Sequence, residues 1–95
     1  MNRLAEDLRL RTKRFASQTI QFSVKLPLGR EEVKVLGKQL LRSGNSVAAH
    51  AREASRVRSD SAFCSKLDGL LQEADESQLW LPLLRNDCGI AGEQM

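Results

Sequence analysis

Apolar positions recur at helical spacing along most of this chain. Val33, Gly37, Leu40, Gly44, Val47, Ala51 and Ala54 follow one another at alternating steps of four and three, the spacing of a helix face that packs on other helices. Four of the seven are Gly or Ala, which let a neighbouring backbone come close. The pattern predicts a helix over about 30–55, with Glu31 and Glu32 in its first turn opposing the positive end of the helix dipole. Upstream, Leu4, Leu8, Phe15, Thr19 and Phe22 share one side, with Ile20 beside them, over about 4–25; Pro27 and Gly29 end that helix. Downstream, Phe63, Leu67, Leu70, Ala74, Ser77, Leu81 and Leu84, widened by Leu71 and Trp80, predict a third helix over about 60–81, with Ser59 as its N-cap. Pro82 lacks an amide hydrogen and crowds the carbonyl four residues back, which predicts a kink or fraying after Leu79. These elements make one all-α domain, residues 1–85, and a tail, 86–95, that holds Gly89 and Gly92.

The middle helix carries a second stripe. Lys34, Lys38, Arg42, Asn45, Ala49, Arg52 and Arg56 fall within about 80° on a wheel that turns about 100° per residue. The stripe is nearly free of acids and continues into Arg58 of the following connection. Lys34, Lys38, Arg42, Arg52, Arg56 and Arg58 are therefore the candidate residues for binding a polyanion. A charge run on a helix is ordinarily a solvated face, so this reading competes with a plain surface. Phe15, Phe22, Phe63 and Trp80 all fall on or beside the inward stripes, so no aromatic platform interleaves the charges and base stacking is not expected.

Composition sharpens the picture through its asymmetry. The net charge is only +3. Residues 1–58 nevertheless hold 13 Lys and Arg against 5 Asp and Glu, a balance of +8, whereas residues 59–95 hold 2 against 7, a balance of −5. The two parts attract within a bundle or between subunits. Antiparallel pairing about a turn near Arg58 sets Arg42 opposite Ala74, within reach of Glu73 or Glu76, where an ion pair would fix the register. Such a pair would take Arg42 partly out of the basic face.

Other chemistry is sparse. Cys64 and Cys88 have no CxxC or Cys/His company, which argues against a disulfide framework or a zinc site. His50 is the only histidine and is read as a helix-surface or interface residue. Ser43, Ser46 and Ser55 lie in the small-residue helix, where hydroxyls bond the carbonyl four residues back. Gly37 and Gly44 are packing glycines within a helix and make no nucleotide loop. Glu73, Asp75 and Glu76 lack the Glu-x-x-His partner of a carboxylate-bridged metal bundle. No catalytic residue, cofactor or metal is expected. The start of the chain has no apolar signal region, and no apolar run approaches the roughly 20 residues of a membrane span; Arg3, Arg9, Arg11, Lys13 and Arg14 scatter around the first helix instead of sharing a membrane-facing edge. A cytoplasmic protein is expected.

Specific blocks also carry a resemblance. RTK at 11–13, Phe15 and Ala16, Leu26 and Pro27, VLGKQLLRSGNSVAA at 35–49, REA at 52–54, Arg58 and Ser59, Phe63, EADES at 73–77 and WLPLL at 80–84 together resemble the four helix bundle protein family. Some members of that family are encoded in intervening sequences of bacterial large-subunit ribosomal RNA genes, and it includes the accessory variability protein of diversity-generating retroelements. The resemblance covers about residues 8–90. It implies an antiparallel up-and-down bundle that assembles into a homo-oligomeric ring, typically a pentamer, with a positive surface proposed to meet RNA or DNA and with no catalytic machinery. His50 and Pro82 depart from the family pattern, and the family's fourth helix, which follows the turn at Gly89 and Ile90, is expected to be missing. The inward sides of helices one and three would then face water, so the chain either oligomerises through that gap or is marginally stable. The alternative function is a structural scaffold whose positive face is covered by an acidic protein partner, such as the third helix of a neighbouring copy.

Overall fold

The computed structural model describes residues 4–90. Its elements are α1 (Glu6–Ser23), α2 (Glu31–Ala54), α3 (Asp60–Pro82) and a π-helical turn, Leu83–Asp87, and no strand occurs among the described residues. The rod measures 46 × 20 × 17 Å. Helix α2 is its spine: α1 and α3 each pack along it and not against each other.

The small-residue face explains why α2 lies in the middle. All seven positions of that stripe are buried, Val33, Leu40 and Ala54 completely. A Cβ placed on Gly44 would lie 2.7 Å from Cγ2 of Thr19, and one on Gly37 would lie 2.6 Å from Cδ1 of Leu26, so both glycines are what lets α1 settle directly on the α2 backbone. Gly69 does the same for α3, where a Cβ would lie 2.8 Å from the ring of His50. His50 is thus an interhelical packing residue, with Nδ1 3.7 Å from Glu53.

Two apolar clusters fill the seams. One joins Phe22, Leu26, Val33, Leu40, Leu84 and Cys88; the other joins Leu4, Val47, Ala51 and Leu70. Between α2 and α3 the buried hydroxyls of Ser43 and Ser77 share a hydrogen bond of 2.8 Å. Ser55 donates to the carbonyl three residues back, not the expected four; Ser43 Oγ lies 3.2 Å from the Leu40 carbonyl and Ser77 Oγ 3.0 Å from that of Glu73, so the two protons of the serine pair serve their shared bond and one of these carbonyls. Ser59 caps α3 as expected, accepting from the Ala62 amide at 3.1 Å.

Three expectations need correction. Ile20 and Leu71 face solvent, not the inner stripes; each follows a buried residue, Thr19 or Leu70, by one position, which turns it about 100° away from the packed face. The packed core also passes residue 85, since Cys88 is buried with Leu84. Most instructive is Pro82. The helix does not fray after Leu79 but runs on through Pro82 with ordinary helical angles, φ −61° and ψ −34°. The hydrogen-bond ladder adjusts downstream: the Leu83 amide is shared between the Leu79 and Trp80 carbonyls, four and three residues back, and the turn then widens, the Cys88 amide reaching five residues back to Leu83 at 3.0 Å. Gly89, at φ 72°, then turns the chain so that the Ile90 amide closes on the Leu84 carbonyl at 2.9 Å.

Candidate nucleic-acid interface

An unbroken α2 carries Lys34, Lys38, Arg42 and Arg52 into solvent, and Arg56 and Arg58, in the connection to α3, are exposed as well. Lys38 and Arg52 lie fourteen positions apart on that helix, about 40° on the wheel, and so face the same way. The stripe nevertheless has two unlike edges.

On the α3 edge, Arg42 is committed. Its guanidinium donates to both oxygens of Glu73, at 3.2 and 3.1 Å, and makes a short contact with Glu76. The Glu73 hydrogen bond, followed by that of Glu76, holds the Arg42 pKa above its ordinary value. This is the expected ion pair, with two carboxylates in place of one, and it leaves Arg42 little charge to offer a ligand. Lys34, Lys38, Arg52, Arg56 and Arg58 form no ion pair among the described residues.

The α1 edge is grooved. Lys34 and Lys38 stand over a shallow hollow of about 150 Å³ beside Leu26, Leu28 and Leu41. Farther along, a cleft of about 370 Å³ opens between α1 and α2, walled by Glu6, Arg9, Leu10 and Lys13 on one side and by Ala48, Ala49 and Arg52 on the other. Arg9 and Lys13 were invisible as site residues in the sequence, because only the packing of α1 on α2 decides which of the scattered α1 cations join the stripe. Arg30 was missed for a similar reason. It donates to the Cys88 carbonyl at 2.8 Å and pairs with Glu32 at 2.7 Å, tying the α1–α2 loop to the π turn. The Glu32 carboxyl is held below its usual range by a backbone hydrogen bond and by Arg30.

Between α1 and α3 a different surface is open, an apolar groove of about 320 Å³ lined by Leu8, Phe15, Val47, Leu70 and Leu81, among others. No group of His, Cys, Asp and Glu suited to a metal ion occurs among the described residues. None of their helices is long and apolar enough to cross a membrane.

Against solved structures, the chain superposes with a TM-score of 0.79 on the crystal structure of a protein with unknown function from the S23 ribosomal protein family of Bacteroides thetaiotaomicron. The two are 34% identical over 92% of this chain and 80% of that one. The chain belongs to the S23 ribosomal protein family. No family model and no curated protein matches it. The S23 relative leaves a fifth of its own length outside the match, so the fold shared by the two S23 proteins is at least the three-helix body described above.

Proposed function

We propose that this protein is a non-enzymatic, oligomeric helical-bundle protein that holds nucleic-acid backbone on the exposed face of α2, with little sequence specificity. The observation that carries the reading is the contrast within one stripe: Arg42 is consumed by Glu73 and Glu76, whereas Lys34, Lys38, Arg52, Arg56 and Arg58 project into solvent without a carboxylate partner. Cations of this kind recognise phosphate and carry no base code. The relative's membership of a ribosomal protein family accords with an RNA-associated role. The same proposal includes kinship with four helix bundle proteins encoded within ribosomal RNA genes or accessory to retroelements, and a cytoplasmic location.

Assembly is the second half of the reading. The apolar groove between α1 and α3 has Arg11 in its α1 wall, and it separates a helix with a cationic surplus, α1, from one with an anionic surplus, α3. A second copy suits it, since α1 of one subunit beside α3 of the next matches sign to sign. A contact between unlike surfaces closes into a ring when the rotation permits, the pentamer of the resemblance being one such ring. Repeating the α2 face around an axis makes weak patches add, because each further contact becomes intramolecular.

The alternative is a scaffold in which the acidic α3 of a neighbour covers the basic face. Electrophoretic mobility shifts with duplex DNA and with structured RNA separate the two. Wild type is expected to shift one or both at about 50 mM salt, where phosphate contacts are strongest, and the double reversal Lys38→Glu with Arg52→Glu to abolish the shift. No shift by wild type favours the scaffold.

A further inference from the structure

We infer that the cleft between α1 and α2 is a phosphate-binding notch, in which Arg9, Lys13 and Arg52 converge on one phosphate group. The inference deepens the nucleic-acid reading and rests on it. The cleft arises from sequence in a simple way. Arg9 and Lys13 are four apart on α1 and so share a face, while α2 presents Ala48 and Ala49 opposite them, side chains too short to fill the space. A volume of about 370 Å³ results, roughly a dozen times the share of one liquid water and ample for a phosphate with its ribose. Arg52 closes the α2 wall from the same edge of the stripe as Lys34.

Arg9 supplies the second observation. Its Nε is shielded from solvent yet has no hydrogen-bond partner. A shielded donor without an acceptor is costly, and a turn of the Arg9 side chain toward the cleft, whose wall it already forms, would bring that donor to an oxyanion there and relieve the cost. Three cations meet one carboxylate, Glu6, in the lining, so the notch is net positive, and the guanidinium forks of Arg9 and Arg52 match the oxygens of a phosphate. Leu10, Ala48 and Ala49 add apolar wall against which the C–H surface of a ribose can lie. The phosphate can come from a strand, as a phosphodiester, or from a free mononucleotide.

The decisive variant fills the notch without touching a charge. Ala49→Leu, at an exposed helical position, is expected to weaken binding of a single-stranded or structured RNA about tenfold, with its circular dichroism and melting temperature unchanged. Arg9→Gln is expected to weaken binding similarly and to flatten the salt dependence by nearly one phosphate contact, and Glu6→Gln to strengthen binding severalfold. If wild type binds RNA and Lys34→Glu with Lys38→Glu weakens it, but Ala49→Leu and Arg9→Gln do not, the notch is overturned and the nucleic-acid reading survives. A parallel titration with uridine monophosphate and with inorganic phosphate follows the backbone amide signals of Ala48, Ala49 and Arg52. Shifts there without any RNA binding keep the notch and sink the nucleic-acid reading. Absence of both overturns the two together.

Discussion

Gly44 and Gly37 look alike in the sequence and differ in what surrounds them. A methyl on Gly44 would meet Thr19, whose side chain is fully buried and tied by its hydroxyl to the Ala16 carbonyl at 2.7 Å; that group has nowhere to go, so the helix backbones must part. A methyl on Gly37 meets only the far end of Leu26. Glycine in a helix interior costs about 1 kcal/mol relative to alanine, while overpacking costs about 1–3 kcal/mol. Gly37→Ala is therefore expected to be close to neutral in denaturant unfolding and Gly44→Ala to lose up to about 2 kcal/mol. Equal losses would show that α1 does not rest on Gly44 as described. At this scale the sequence told that both glycines serve packing, but which neighbour yields depends on rotamer freedom in the partner helix, and no spacing within α2 encodes that.

Among elements, α2 was the most legible, because both of its faces are written in one continuous period and its ends fall within one residue of the expected 30–55. Its pairing with α3 was legible too, through the oppositely charged Arg42 and Glu73 to Glu76 segments. A double-mutant cycle on Arg42→Ala and Glu76→Ala is expected to give a coupling of roughly 0.5 kcal/mol, small because Arg42 is half exposed and solvent screens the pair. Additive losses would remove the pair from the register of the helices. The end of α3 was not legible. Pro82 forbids one hydrogen bond, but the chain recovers by sharing the next amide and widening the following turn, a solution that becomes available only because Leu84 and Cys88 gain a buried seat against Phe22 and Leu40. Likewise the α1 cations could not be sorted by their own periodicity, since the cleft that selects Arg9 and Lys13 belongs to two elements at once.

For the whole molecule, the notable feature is that α1 and α3 leave an apolar groove between them instead of meeting. A groove bordered by basic α1 and acidic α3 is expected to hold a second copy, so gel filtration with light scattering should give a mass above that of one chain. Leu8→Glu with Phe15→Glu should shift the protein toward monomer or aggregate. A stable, monodisperse wild-type monomer would contradict assembly through this groove. Such assembly would repeat the α2 face and make its binding depend steeply on counterion release. The central claim, that cations on this face hold phosphate, is tested most directly by fluorescence anisotropy with a structured RNA across a salt series. The account predicts that log K falls linearly with log salt, by somewhat less than one per contacted phosphate, and that Lys38→Glu with Arg52→Glu abolishes both the affinity and the slope. Binding that is insensitive to salt, or unchanged in that double variant, would contradict it.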